Sequence, residues 1–121
     1  MPEITPAGYS FIKDHVFKYW RYITISDENH NEITRLYPAD ARLELNEREG
    51  EQLIQLKVEF RGTDHDISLP ETIAYLSIYA EDFLGNPVAT DEIEPNIYME
   101  SLNDVVRLEI LIEIPRISTV N

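Results

Sequence analysis

Residues 72–93 constrain the fold of this chain more than any other stretch. Residues 73–80 combine β-branched and aromatic side chains, contain no Gly or Pro, and place apolar groups on both faces, which is typical of an interior β-strand. Gly85-Asn86 can supply the positive φ that a chain reversal needs, and Pro87 follows directly. The stretch therefore predicts a β-hairpin near the middle of a sheet.

A short helix is predicted at the N-terminus, over about residues 5–17. Thr5 can cap it, and Pro6 suits the first helical position because its missing N–H would be unpaired there in any residue. One face of this helix carries Gly8, Phe11, Ile12, His15 and Val16. Because a glycine weakens a helix by roughly 1 kcal/mol relative to alanine, Gly8 suggests that another backbone lies close to this position.

Beyond the helix the apolar residues recur with a period of two, which predicts β-strands from about residue 20 to about residue 115. The cleanest alternation lies at 53–60, and together with 41–46 it predicts an antiparallel hairpin with Gly50 in its turn. Strands joined by short turns predict one mainly β domain over residues 1–121. Its architecture is expected to be an antiparallel β-sandwich or open barrel with one short N-terminal α-helix.

Charge and composition argue against several classes of function. The chain has 23 acidic residues against 10 Lys and Arg, a net charge of −13, so nucleic-acid binding is not expected. No apolar run approaches the roughly 20 residues of a membrane span, so membrane insertion is not expected either. The absence of cysteine rules out disulfides and thiolate metal sites. The scattered acidic residues are typical of a solvated surface and leave a docking surface for a basic partner open.

Motifs that carry chemistry are absent from the sequence, so we predict no enzyme, no catalytic residue and no cofactor. The chain has no nucleophile elbow, no glycine-rich phosphate loop and no zinc-protease motif. Asp64-His65-Asp66 resembles a metal site, but neighbouring loop residues rarely point at one ion, so we predict a solvated loop and no metal. Paired carboxylates in a small acidic hydrolase remain an alternative.

Four side chains are candidates for an assembly interface. Tyr75 and Tyr79 lie in the strand of the central hairpin, and Trp20 lies in a run of aromatic residues, so exposure of these rings would suit a protein or sugar contact. Packing in the core is the alternative for them. Leu111 interrupts the polar face of the last strand, and an assembly would cover it. In the hairpin, Ala74, Leu76 and Ile78 are expected to face the core, and Ile73, Tyr75 and Tyr79 to face the helix or a neighbouring subunit.

The order of these elements resembles the N-terminal domains of phage tail-collar and tail-fibre proteins. Residues 4–8, Ile-Thr-Pro-Ala-Gly, look like the Leu/Ile-Thr-x-Ala-Gly opening of that family, and residues 23–27 look like its first strand and turn. Residues 74–86 look like its central hairpin, and residues 105–113 look like its long closing strand. The chain differs from the family's Gly-Asp-Gly turn at 26–28 and from its Arg-Glu pair at 73–74.

The resemblance implies a virion structural protein without catalysis, which attaches a fibre or receptor-binding protein to the tail or baseplate. Its partners would be other tail or baseplate proteins and copies of itself, with a homotrimer favoured. Its location would be the virion tail, after assembly in the host cytoplasm. The alternative is a carbohydrate- or protein-binding immunoglobulin-like β-sandwich module, because turns like residues 82–87 also occur in such domains. Those modules usually lack an N-terminal helix, which favours the first interpretation.

Overall fold

This computed structural model describes residues 3–47, 53–80 and 82–113. In these residues the segments with a two-residue period form β-strands. Within those ranges one helix precedes seven strands. The helix α1 spans Pro6–Tyr19, and the strands are β1 (Tyr22–Ser26), β2 (Glu32–Leu36), β3 (Leu43–Glu47), β4 (Leu53–Arg61), β5 (Glu71–Tyr79), β6 (Ala89–Met99) and β7 (Val105–Glu113). The turn predicted at Gly50 and the strand end predicted near residue 115 lie outside the described residues.

The strands form two antiparallel sheets that share one core. One sheet has the order β2-β1-β5-β6, and the other has the order β3-β4-β7. Neither sheet closes on itself within the described residues, so the fold is an open, β-sandwich-like pair of sheets with one short N-terminal helix. This confirms the predicted fold class. The hairpin predicted from 41–46 and 53–60 is also confirmed, since Leu45 in β3 lies opposite Leu56 in β4.

The core is built from the inward-facing residues of alternating strands. In β4, Leu56, Val58 and Phe60 are buried, whereas Lys57 between them is exposed. These side chains join one apolar cluster with Ile23, Ile25, Leu36, Ile73, Leu76, Ile78 and Met99 of the other sheet. Burial of one such side chain contributes roughly 1.5–3 kcal/mol. A shift of one residue in register would expose a whole row of them, so the sequence pattern specifies which face of each strand is inward.

The N-terminus of α1 is capped as the sequence predicts. Thr5 is extended, and its Oγ1 accepts a hydrogen bond from the backbone N–H of Gly8 at 3.2 Å. Pro6 occupies the first turn, where no intrahelical partner for its nitrogen is needed. The helix ends at Tyr19, two residues beyond the predicted end. No helix in the described part of the chain has both the length and the apolar character needed to cross a bilayer.

α1 packs against one end of the inner face of the three-stranded sheet. Tyr9 and Val16 form a second buried cluster with Ile54 of β4. Trp20 follows the helix and packs against both this cluster and the main core, so it joins the two. Lys13 is 7% exposed, and its Nζ lies 3.8 Å from the carboxylate of Glu47 at the end of β3.

The hairpin predicted at 72–93 is confirmed as β5 and β6, and β5 lies in the interior of its sheet between β1 and β6. Gly85 has a φ of +70° in the connecting loop, as the reversal requires. Asp82 and Phe83 also have positive φ values, of 33° and 60°. The loop therefore contains two residues with side chains in a backbone region that glycine normally occupies.

The expectation for Ile73 is wrong, because this side chain is fully buried in the main core with Leu76. The regular alternation of β5 is interrupted here, because Ile73 and Ala74 are adjacent and both buried. The interruption lies where the pairing with β6 is irregular: Ile73 lies opposite Ile97, whereas Tyr75 lies opposite Glu92. The core assignments of Ala74, Leu76 and Ile78 are confirmed by their burial.

Candidate functional site

The outward side of α1 is apolar and uncovered. Phe11 is 76% exposed, and Ile4, Ile12 and Tyr19 are also exposed large apolar residues. These side chains share a side of the helix with Gly8 and His15, because residues three and four apart are neighbours on a helix surface. The six residues Ile4, Gly8, Phe11, Ile12, His15 and Tyr19 are called the α1 stripe. The rings of His15 and Tyr19 lie 4.8 Å apart within it.

The sequence predicts most of the α1 stripe as one face of the helix. The face of α1 that packs against the sheet in the single chain is a different face. Tyr9, Lys13 and Val16 point at the sheet. The expectation that Gly8 lies against another backbone is wrong within the described chain. A Cβ built at Gly8 would instead lie 2.8 Å from Cγ2 of Ile4, a side chain of its own capping turn. Only Val16 of the predicted face reaches the core, so the rest of that face is left for solvent or a partner.

A second group of rings covers the outer face of the four-stranded sheet. Tyr22 of β1 lies opposite Tyr79 of β5 in the register, and Phe83 from the β5–β6 loop folds over both. Tyr37, just after β2, completes the group at 5.1 Å from the ring of Phe83. The four residues Tyr22, Tyr37, Tyr79 and Phe83 are called the aromatic cluster. Its members pack edge to face or tilted, with ring centroids 5.1–6.4 Å apart.

Phe83 holds its strained backbone in place through these contacts. Its φ of 60° costs roughly 1–2 kcal/mol for a residue with a side chain. Its ring contacts three tyrosines, and the guanidinium carbon of Arg35 lies 4.7 Å from its centroid. Aromatic pairs contribute roughly 0.5–1.5 kcal/mol each beyond area burial. The contacts thus offset the strain and fix the loop against the sheet.

The four predicted interface residues do not lie on one surface. Tyr75 and Tyr79 are half-buried on the outer face of the four-stranded sheet, where Tyr75 stacks on His30 at 4.2 Å. Trp20 packs between the two buried clusters. Leu111 is 50% exposed on the outer face of the other sheet, opposite Gln55 of β4. The sandwich therefore separates Leu111 from the two tyrosines.

Sequence reasoning missed the residues that expose or organise the most apolar surface. Phe11 was placed on the correct helix side, but its 76% exposure depends on where α1 docks. Tyr37 and Phe83 lie outside the strands, and their meeting with Tyr22 and Tyr79 depends on pairing across three strands. The available signal was an aromatic residue, Phe83, in the turn that contains Gly85. A large aromatic ring in a turn indicates that the ring packs against neighbouring side chains.

Arg42 is the centre of a network of ion pairs at one edge of the sandwich. Its Nη2 donates to Asp40 at 2.8 Å and to Asp66 at 2.9 Å, and its Nη1 donates to Asp66 at 2.9 Å and to Asp64 at 3.2 Å. Thr34 of β2 also donates to Asp66. These five residues are called the Arg42 network. It joins the start of β3, the loop after β4 and the other sheet.

The charges of the network shift the pKa values of Asp66, Asp40 and Arg42. Hydrogen bonds from Arg42, together with the one from Thr34, lower the pKa of Asp66 to about 2. The same guanidinium lowers the pKa of Asp40 and has its own pKa raised by the carboxylates. All the side chains of the ion pairs are 19–29% exposed, so the network is partly shielded from solvent.

The Asp64-His65-Asp66 segment is therefore engaged in structure rather than freely solvated. Both carboxylates bind Arg42, and Asp64 also accepts a hydrogen bond from the backbone N–H of Arg61. The prediction of a solvated loop holds for the exposed His65 and is wrong for its two neighbours. Among the described residues no group of three His, Asp or Glu side chains has an arrangement that could hold a metal ion.

Comparison of this chain with protein-family models, with curated proteins and with solved structures finds no match. Its function is therefore argued from the α1 stripe, the aromatic cluster and the charges around them.

Proposed function

We propose that the protein is a non-catalytic assembly module of a phage tail, which attaches a fibre or receptor-binding protein to the tail or baseplate through protein–protein contacts. The α1 stripe is the observation that supports this proposal. Soluble single chains rarely leave a contiguous apolar patch uncovered, and amphipathic helix faces are a recurring mode of partner binding. The order of sequence elements, which resembles phage tail-collar and tail-fibre domains, supplies the viral context.

The spacing within the stripe supports self-association through α1. Gly8, Phe11 and His15 follow one another on α1 at intervals of three and four residues. That spacing places them on one side of the helix, along which the helix of another copy can pack. A trimer is the state that the resemblance to tail-collar and tail-fibre domains favours. Three copies joined in this way leave the aromatic cluster, on the four-stranded sheet, available for other tail or baseplate proteins. Assembly would take place in the host cytoplasm, and the finished module would lie in the virion tail.

The strength of such an assembly can be bounded from the side chains involved. Phe11, Ile12 and Tyr19 are 76%, 37% and 46% exposed, so covering what remains exposed would contribute at most roughly 1.5–3 kcal/mol each. Association costs roughly 4–15 kcal/mol in lost translational and rotational freedom. The gain and the cost are therefore similar, and the oligomer is expected to depend on protein concentration.

Mass measurement in solution over a series of concentrations tests this proposal. The native chain is expected to reach the mass of a trimer, and Phe11→Ser is expected to stay monomeric because it removes the most exposed ring of the stripe. Leu102→Ser is the matched control, since Leu102 is 66% exposed in a turn away from α1 and its change should leave the mass unchanged. A native chain that stays monomeric at high concentration contradicts self-association, and an equal loss in both variants contradicts the role of the stripe.

A second candidate function is a carbohydrate- or protein-binding β-sandwich module. The aromatic cluster favours it, since exposed rings beside polar side chains suit sugar and protein contacts alike. Tyr37 is 50% exposed, and Ser77 and Thr90 lie in hydrogen-bonding contact on the same face. Binding of the native chain to a glycan array without self-association would favour this function over the first.

A further inference from the structure

Two cations at the end of α1 lack acidic partners in a chain with an excess of acid. Lys18 and Arg21 form no ion pair with any of the described residues, although the chain carries 23 acidic residues against 10 Lys and Arg. Both line a cavity of about 310 Å³ between the helix end, β1 and the β5–β6 loop. Its lining, called the end groove, consists of Lys18, Tyr19, Arg21, Tyr22, Pro38, Ala80 and Asp82. The positive charge is thus concentrated in a concave site.

The guanidinium of Arg21 is held in a fixed orientation. Its Nε donates to the carbonyl oxygen of Phe17 at 2.7 Å, and its central carbon lies 4.7 Å from the centroid of the Phe17 ring. Neither of its terminal nitrogens forms a hydrogen bond with a described residue. A planar guanidinium fixed in this way can donate two parallel hydrogen bonds to a carboxylate at a reduced entropic cost. Arg21 can therefore offer two donors to a carboxylate at the edge of the groove, beside Phe17, which lines a neighbouring cavity together with Asp14.

The remaining lining distinguishes between carboxylate ligands. Tyr19 and Tyr22 offer rings on which the apolar face of a pyranose can pack, and their hydroxyls can exchange hydrogen bonds with sugar hydroxyls. Asp82 can accept hydrogen bonds from hydroxyls but repels a second negative charge. A ligand with one carboxylate and several hydroxyls fits this set, whereas a peptide rich in acidic residues does not.

We propose that the end groove binds a carboxylate-bearing saccharide unit, such as a hexuronate, with its carboxylate on Arg21 and Lys18 and its ring against Tyr22. The net charge of −13 does not prevent this. At physiological salt the charges beyond roughly 8 Å are largely screened, so the charges of the lining, Lys18 and Arg21 against Asp82, dominate inside the groove. The site adjoins the α1 stripe and shares Tyr19 with it, whereas Lys18, Arg21 and Tyr22 lie outside the stripe.

Titration with methyl β-D-glucuronide tests the proposal. Binding is followed by chemical-shift changes in NMR spectra of the protein, because the single tryptophan, Trp20, packs against the two buried clusters and does not line the groove. The expected result is saturable binding with a Kd of about 1–10 mM, and binding at least about tenfold weaker for methyl β-D-glucoside, which lacks the carboxylate. Lys57→Gln is the matched control, because Lys57 is also a cation without an ion pair among the described residues but lies on the outer face of the other sheet.

Two variants locate the ligand. Arg21→Gln is expected to weaken glucuronide binding at least about tenfold, and Lys18→Gln, a change at an exposed position, gives the same test if Arg21→Gln does not fold. Lys57→Gln should bind as the native chain does. Phe11→Ser should retain binding, which separates this site from the failure or success of the assembly proposal.

Three results would overturn the proposal. The first is no saturation up to about 50 mM glucuronide, a range that covers affinities too weak to be specific. The second is equal or tighter binding of a short glutamate peptide, which would assign the groove to an acidic protein segment. The third is loss of binding in Phe11→Ser, which would move the ligand to the α1 stripe.

Discussion

Replacing Arg42 by glutamine removes the cation that holds three carboxylates together. Arg42 donates to Asp40, Asp64 and Asp66 at 2.8–3.2 Å, and these side chains are 19–29% exposed. Breaking a buried ion pair typically costs 3–5 kcal/mol because a charge is left uncompensated. The residual exposure of this network allows some solvation of the freed carboxylates, so we expect a loss of about 3 kcal/mol at pH 7.

The loss of stability in Arg42→Gln is expected to depend on pH, and the pKa of Asp66 determines the direction of this dependence. In the native chain that pKa is lowered to about 2 from its usual 3.8, so its stabilisation is present above pH 4 and is lost as the pH falls towards 2. Without Arg42 the carboxylates are no longer compensated, and the pKa values of Asp40 and Asp66 rise in the folded state. The folded variant then binds protons more readily than the unfolded chain. Its deficit relative to the native chain should shrink as the pH falls from 7 to 5.

Urea unfolding followed by the fluorescence of Trp20, at pH 7, 6 and 5, measures this deficit directly. Arg107→Gln is the control. Arg107 pairs with Glu59 at 2.9 Å, but the two side chains are 73% and 40% exposed, so the expected loss of stability is much smaller than for Arg42→Gln and changes little over this pH range. A loss below about 1 kcal/mol for Arg42→Gln, or a deficit that grows as the pH falls, would refute the reasoning.

Two further substitutions test the backbone and the helix cap. Gly62→Ala should cost about 3 kcal/mol, because its Cβ would lie 2.2 Å from the carbonyl oxygen of Ser101; Gly85→Ala, in open space at a φ of +70°, should cost only about 1 kcal/mol. Thr5→Ala should cost about 1 kcal/mol and reduce helical circular dichroism, since the N–H of Gly8 loses its acceptor. Equal losses for the two glycines, or no loss for Thr5→Ala, would contradict these assignments.

The fold could be predicted from local patterns because most of its information is local. The alternation at 53–60 matches the burial of β4 residue by residue, and Thr5 and Pro6 mark the helix start that the structure has. The failure at Ile73 lies where the alternation of β5 is interrupted, since Ile73 and Ala74 are both buried beside an irregular pairing with β6. The sequence of β5 itself contains no feature that predicts this irregularity.

The candidate surfaces were less accessible to sequence reasoning, because they depend on contacts between distant segments. The Arg42 network joins residues separated by up to 32 positions, and no motif links Arg42 to Asp66 or Thr34. The aromatic cluster needs the register of β1 with β5 to bring Tyr22 opposite Tyr79, and then a strained loop to place Phe83 over them. Contacts between such distant residues leave no periodic pattern in the sequence.

The sequence by itself determined most elements of this protein and the buried face of a cleanly alternating strand such as β4, because a two-residue period leaves only one apolar side to bury. It also determined that α1 has an apolar face containing Phe11 and Ile12. Only the tertiary structure decided which face of α1 the sheet would cover. Tyr9 and Val16 pack over Ile54, and a helix that packs against a single sheet can bury only one of its faces. The face that the sequence makes most apolar is therefore left outside, where a partner can reach it.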